Sequence, residues 1–380
     1  MMKIEPKVIV DFFKSKEVEM VTGVPDSVLS GLIDALASEF TGSQHITAAN
    51  EGNAAAIAIG HYLSSGSPAV VYLQNSGLGN LVNPIVSLAN KRIYEIPAML
   101  IVGWRGEPGK KDEPQHLFQG LITKELLELL EIPVFLIDDN ANCLDVLEAA
   151  WKKMSESQQF TAVIVKNDAF VKKEQIHGSN VCSPHFSLSR EAAIEELFDL
   201  ISDEYFVIAT TGKCGREVFE VRERRGEANT DFLTVGGMGH ASSIALGICA
   251  SQPTKKVLCI DGDGALLMHL GALPVVGSVA PKHFIHAVMN NQCHESVGGQ
   301  ETVICDVDLK LMIKGAGYKS YNLVTSKKHL KDVWLSLMSK DGPHFIEIKI
   351  NSSSRQNLGR PKDTPIENRN KFMQKFKLLN

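Results

Sequence analysis

The stretch VLCIDGDGALLMH, residues 257–269, decides the fold. Its apolar run reads as a buried strand, and glycines at 262 and 264 then bracket Asp263 before apolar residues resume. The Asp263 carboxylate should project from the strand's carboxyl end, with the glycines permitting a tight turn and close approach of a ligand. The next strand candidate, HFIHAVM, runs into Asn290 and Asn291. Twenty-five residues lie between Gly264 and Asn290. That is room for a helix and the return crossover of one βαβ unit, so both polar clusters should emerge at the same sheet edge. An acid and an amide oxygen, joined by a nearby backbone carbonyl, make a hard oxygen site of the kind magnesium prefers. Each piece alone has a plainer reading. D-G-D-G is also an ordinary turn, and Asn-Asn commonly ends a strand. A calcium loop is excluded, because its later acidic ligands and closing glutamate are missing.

The surrounding chain fits a parallel sheet. Strand candidates VEMVTG, SPAVVYLQ, PAMLIVG and FTAVIVKN alternate with helical segments such as SVLSGLIDALASEF and EGNAAAIAIGHYLSSG. After an aperiodic polar stretch and the helical REAAIEELFDLI, a second series follows: YFVIATTG, KVLCIDGDG, HFIHAVMNN and HFIEIKI. Alternation of this kind predicts α/β architecture with two doubly wound parallel-sheet domains. The expected division is 1–170, a linker at 171–188, and 189–380. With 380 residues and 44% apolar content the chain can bury two cores. A formal charge of −5 gives no reason to expect nucleic acid or an anionic membrane as partner. Seven cysteines without a C-x-x-C pair suggest reduced thiols and a cytoplasmic location. No apolar segment approaches the length of a membrane span.

At this spacing, G-D-G and N-N together resemble the motif of thiamine diphosphate enzymes. The resemblance implies that Asp263 and Asn291 ligate Mg2+ by side chain and Cys293 by its backbone carbonyl, the metal holding the cofactor's diphosphate. Glu51, in ITAANEGNAAAIAIGHYL, follows a short strand and opens a small-residue helix. Alone it reads as an acid favoured by a helix N-terminus. By resemblance it is the carboxylate that exchanges a proton with the aminopyrimidine. In TVGGMGHASSIALGICA, residues Gly237, Gly239 and His240 lead into a helix whose free N–H groups suit a phosphate. Met238 resembles the apolar residue wedged beneath the cofactor. The same resemblance implies that TTGKCG, residues 210–215 with Thr211 and Gly212, forms another loop beside the diphosphate, and that Gly264 and Ala265 complete the cofactor set.

Many members of that family carry a third, central domain, for which this chain is too short. TGVPDS, NEGNAAAIAIG, QNSGLGN, GWRGEPGKKDEPQH and GGMGHASSIALG make the whole chain similar to the phosphonopyruvate decarboxylase family. The implied activity is release of CO2 from phosphonopyruvate, giving phosphonoacetaldehyde, in phosphonate biosynthesis. Sulfopyruvate decarboxylases are close relatives. Other readings are a noncatalytic cofactor sensor, and a nicotinamide dehydrogenase, whose G-x-G-x-x-G fingerprint TGVPDS lacks. The family also implies a homo-oligomer, at least a dimer, with shared active sites.

A small anionic 2-oxo acid needs fixed cations or donors. Arg105, Lys110, Lys111 and His116 supply them in one loop, although Glu107, Asp112 and Glu113 cancel its three full positive charges. That loop also reads as a solvated surface of mixed charge. The tail, residues 351–380, has seven Lys or Arg against two acids. It is either simply solvated or able to close over an anion through Arg355 and Arg360. Asp26 lies at a strand end and reads as a proton carrier working with His116, or as the cap of the following helix.

Overall fold

The computed structural model describes residues 3–138, 142–171 and 186–378. The chain divides into two compact units, Met1–Gly178 and Ser179–Asn380. Residues 172–185, most of the expected linker, lie outside the described residues.

Each unit is built on a six-stranded, wholly parallel sheet. In the first unit the strands are β1 (Val21–Gly23), β2 (His45–Thr47), β3 (Ala69–Gln74), β4 (Ala98–Trp104), β5 (Val134–Ile137) and β6 (Thr161–Lys166). In the second they are β7 (Tyr205–Ala209), β8 (Phe232–Leu233), β9 (Lys256–Gly262), β10 (Phe284–Asn290), β11 (Ser320–Val324) and β12 (His344–Lys349). The spatial orders are β2-β1-β3-β4-β6-β5 and β11-β12-β10-β9-β7-β8. Read from its other edge, the second order repeats the first strand for strand, so the two units share one topology.

Helices cover both faces of each sheet, which is why the inner strands are continuous apolar runs rather than alternating ones. Leu258 and Ile260 of β9 pack with Val207 and Ile285 on one face. Val257 and Cys259 pack with Phe206 and Phe284 on the other. Buried polar residues of the second sheet include a paired group, since burial without a partner is costly. His286 of β10 sits 3.3 Å from Asp261 Oδ2 and 3.2 Å from the Tyr318 hydroxyl.

Helix boundaries follow local chemistry. Asn50 caps the helix Glu51–Ser65 by accepting from the Asn53 N–H at 2.9 Å, and Gly66, at φ 74°, ends it in the left-handed conformation. Ser189 caps the helix Arg190–Leu200 through the Ala192 N–H. Among the described residues no helix is long and apolar enough to cross a membrane, and six cysteines are free thiols.

Candidate active site

In the second unit the strand order reverses between the neighbours β7 and β9. The carboxyl ends of strands at such a switch point are where open α/β sheets place ligands. β7 leads through Thr211 and Gly212 into the helix Lys213–Arg224, and β9 leads directly into the helix Asp263–Met268. β10, on the other side of β9, delivers Asn290 and Asn291.

Asp263 is buried, and its Oδ2 accepts from Thr302 Oγ1 at 2.7 Å. Burial pushes its pKa up to about 6, opposed by the Thr302 hydroxyl and the Gly264 N–H. The Thr302 N–H donates to the Gln292 carbonyl at 2.9 Å, tying the Asp263 turn to the Asn291–Cys293 segment. Asn291 is buried; its Oδ1 accepts from the Cys293 N–H at 3.3 Å and its Nδ2 donates to Glu295 at 3.1 Å.

Close backbone approaches bring the other expected cofactor residues to the same place. A Cβ on Gly264 would lie 3.1 Å from the His294 ring and 3.5 Å from Met238 Cε. Gly239 has φ 86°, and a Cβ there would come within 2.9 Å of the Ala265 carbonyl and 2.6 Å of the His269 ring. Only glycine meets both demands. His240 stacks on His269 with ring centroids 4.3 Å apart, and its N–H donates to the Gly237 carbonyl at 3.1 Å. Thr211 Oγ1 donates to the Val235 carbonyl at 3.0 Å, and Gly212, at φ 86°, lies beside Ser296. Thr211, Gly212, Gly237, Met238, Gly239, His240, Asp263, Gly264, Ala265, Asn291 and Cys293 therefore form one neighbourhood.

This neighbourhood fits the implied group. Its donor set, a carboxylate, an amide oxygen and a main-chain carbonyl, is all hard oxygen, as Mg2+ requires. The buried Asp263 carboxyl has its pKa raised because surrounding protein groups do not repay its desolvation, a cost that a bound cation removes. Helices beginning at Lys213 and Ala241 add N-terminal N–H groups suited to phosphate oxygens.

The first unit gathers its polar residues at the carboxyl ends of β1 to β4. Glu51 is buried, and its Oε2 accepts from Asn80 Nδ2 at 2.7 Å. Any side chain at Gly77 would run into its carboxylate. Asp26 is fully buried; Oδ2 accepts from the Val28 and Leu29 N–H groups, and Oδ1 from Gln74 Nε2 at 2.6 Å. It thus holds the turn that precedes the helix Ser30–Glu39, whose own N-cap, Leu29, has no side-chain bond. Burial raises its pKa, opposed by Gln74, the two N–H groups and the nearby Arg105 charge.

The loop after β4 is organised by Asp112. Its carboxylate takes Arg105 Nε at 2.9 Å and Nη2 at 2.5 Å, the Gly106 N–H at 2.7 Å and His116 Nδ1 at 3.1 Å. Burial opposes the Asp112 charge, but Arg105, His116 and the Gly106 N–H outweigh it and hold the pKa well below the usual carboxylate range. His116 is lowered chiefly by burial, with Asp112 opposing and Arg105 adding to the effect. Lys110 pairs with Glu107 at 2.9 Å, while exposed Lys111 has no ion-pair partner among the described residues. Two of the three opposite charges read from the sequence meet as ion pairs within the loop, Arg105 with Asp112 and Lys110 with Glu107.

The tail is held by ion pairs. Arg355 is held by Glu191 at 2.9 Å and by Glu220, whose other oxygen accepts from the Gly359 N–H at 2.5 Å. Lys362 pairs with Glu223 at 3.0 Å. These acids lie on the helices Arg190–Leu200 and Lys213–Arg224, so the tail's charge is matched to its own unit. Arg360, on the same segment, is exposed.

Sequence reasoning did not single out Gln74, Asn80, Glu295 or Thr302. Gln74 and Asn80 lie in QNSGLGN, at the end of β3, where a polar cluster after an apolar strand is a usable signal. Thr302 and Glu295 carry no such mark, because their roles arise from loops folding back.

Residues 6–127 match the model of the thiamine pyrophosphate enzyme N-terminal TPP binding domain, and residues 210–348 that of the C-terminal TPP binding domain. A phosphonopyruvate decarboxylase of Streptomyces viridochromogenes is 35% identical over 93% of this chain and 90% of its own. One from Streptomyces hygroscopicus is 33% identical with the same coverage, 93% and 90%. A sulfopyruvate decarboxylase of Methanosarcina acetivorans is 24% identical over 90% of this chain and 89% of its own. The chain therefore belongs to the thiamine pyrophosphate enzymes, in the family of the phosphonopyruvate decarboxylases.

Proposed function

We propose that this protein catalyses the thiamine diphosphate- and Mg2+-dependent decarboxylation of phosphonopyruvate to phosphonoacetaldehyde and CO2, a step of phosphonate biosynthesis. The observation that carries this reading is the 35% identity to a phosphonopyruvate decarboxylase across nearly the whole of both chains, against 24% for a sulfopyruvate decarboxylase. Residues 1–170 form the pyrimidine-binding domain and 189–380 the diphosphate- and Mg2+-binding domain. The positions of the two matched domain models support that division.

Asp263, Asn291 and the Cys293 carbonyl would hold the metal. Thr211, Gly212 and Gly237–His240 would hold the diphosphate, with Met238 against the coenzyme. When bound, thiamine diphosphate supplies a nucleophilic carbon and an acceptor for the electron pair released with CO2. Glu51, its Oε2 fixed by Asn80, would be the carboxylate that holds and exchanges a proton facing the coenzyme's ring nitrogen. Asp26 and His116 manage the proton returned to product. With His116 Nδ1 donating to Asp112, Nε2 is the nitrogen left to exchange a proton. Arg105, Lys110 and Lys111 supply cationic contacts for the substrate's two anionic ends. The active unit is a cytoplasmic homo-oligomer, at least a dimer, with shared sites. A catalytically competent monomer in sedimentation would refute the oligomer.

The test is incubation of purified protein, thiamine diphosphate and Mg2+ with phosphonopyruvate, sulfopyruvate or pyruvate, following aldehyde and CO2. The reading requires the highest kcat/KM with phosphonopyruvate. Preference for sulfopyruvate would reassign the substrate, and tight cofactor binding without CO2 from any of the three would make the protein a sensor.

A further inference from the structure

Glu295 stands four residues after Asn291, in the segment that follows β10. Its Oε2 accepts from Asn291 Nδ2 at 3.1 Å and from Arg190 Nη1 at 2.9 Å, and its Oε1 accepts from Lys213 Nζ at 2.8 Å. Arg190 directs Nε and Nη2 to Glu217, at 2.7 and 3.1 Å. Arg190 and Glu217 are buried, and the Glu295 side chain is only 10% exposed. Two cations and two anions thus form a balanced group under the Asn291 segment.

An asparagine amide has one end that suits a cation and one that does not. A carboxylate on Nδ2 determines which end is which, because a flipped amide would set its oxygen against Glu295 and its NH2 toward the metal. The same carboxylate holds Lys213, the first residue of the helix that follows Gly212. One side chain therefore anchors both the amide beside the metal position and the start of a helix beside the diphosphate position.

We propose that Glu295 is a positioning residue for the divalent cation, orienting the Asn291 amide so that its oxygen faces the metal. This rests on the reading of Asn291 as a metal ligand. Groups that orient metal ligands are worth about 10- to 100-fold in metal affinity.

The experiment is an electron paramagnetic resonance titration of Mn2+ into the full-length protein with saturating thiamine diphosphate and no substrate. Glu295→Gln should weaken Mn2+ binding by about 10- to 100-fold. Glu295→Asp, which keeps the charge but shortens the reach, should weaken it less. In both, excess Mg2+ should restore most of kcat, which a merely structural lesion would not allow. Wild-type Mn2+ affinity in a folded Glu295→Gln protein, judged by circular dichroism, overturns the proposal. If that variant does not fold, wild-type affinity in Glu295→Asp does so. Wild-type protein that binds no Mn2+ overturns the metal reading itself. A different 2-oxo acid as substrate would leave the titration unchanged, so the two failures are distinguishable.

Discussion

Thr302 donates its hydroxyl to Asp263 Oδ2 at 2.7 Å while its own N–H donates to the Gln292 carbonyl at 2.9 Å. One residue, 39 positions after Asp263 in sequence, thereby joins the two halves of the oxygen cluster. Thr302→Val keeps the shape and the backbone bond but removes the hydroxyl. Loss of a hydrogen bond to a buried carboxylate should cost about 2 kcal/mol of stability in the metal-free protein. Mg2+ affinity should fall by about tenfold, as for other groups that hold a ligand in place. Denaturant unfolding and isothermal titration check the two parts separately.

Glu51→Gln should leave the fold nearly unchanged, because the amide oxygen can still accept from Asn80. Turnover should fall by about 100- to 10,000-fold, the range for loss of a positioned proton carrier. Thermal unfolding and CO2 release measure the two sides, and near-normal turnover would remove Glu51 from the mechanism.

His116 predicts a pH effect with a definite sign. Burial holds its folded pKa below the ordinary 6.5. Between those two values the unfolded chain binds more protons than the folded one, so stability falls as pH drops through this window. The contribution is fully present above the unfolded value and lost on acidification. His116→Gln has no such titration, so the difference in unfolding free energy, wild type minus variant, should shrink from about pH 7.5 to about pH 5.5. A constant difference would mean that His116 titrates normally in the folded protein.

Gly239→Ala should destabilise the second unit by about 1–3 kcal/mol through its left-handed backbone, with crowding of Ala265 and His269 adding to the cost. Thiamine diphosphate binding should weaken as well, because the residues displaced flank its proposed position. The thermal midpoint and a cofactor titration report each effect, and a neutral substitution would contradict the packing described.

The strands quoted from the sequence are the four inner strands of each sheet. Their runs are apolar on both faces, as in β3, β4, β9 and β10. The edge strands were harder to see. β2 was legible only as a short strand before Glu51, and β5, β8 and β11 were not named at all. They have two to five residues, most of them only half-buried. A strand with one neighbour buries less surface and so carries a weaker apolar signature.

From its sequence alone, this protein had a determined fold class and set of motif residues, because strand-end turns and glycines are local and the spacing of G-D-G to N-N is a fixed crossover length; the cofactor type followed from the resemblance those motifs carry. Only the folded chain decided which groups hold those residues: Thr302 on Asp263, Glu295 on Asn291, Asn80 on Glu51, Asp112 on Arg105 and His116. It also decided that Arg355 is engaged by acids of its own unit. Such partners are chosen by distance after the sheet is wound and by the need to pair buried charge, and neither leaves a periodic trace along the chain.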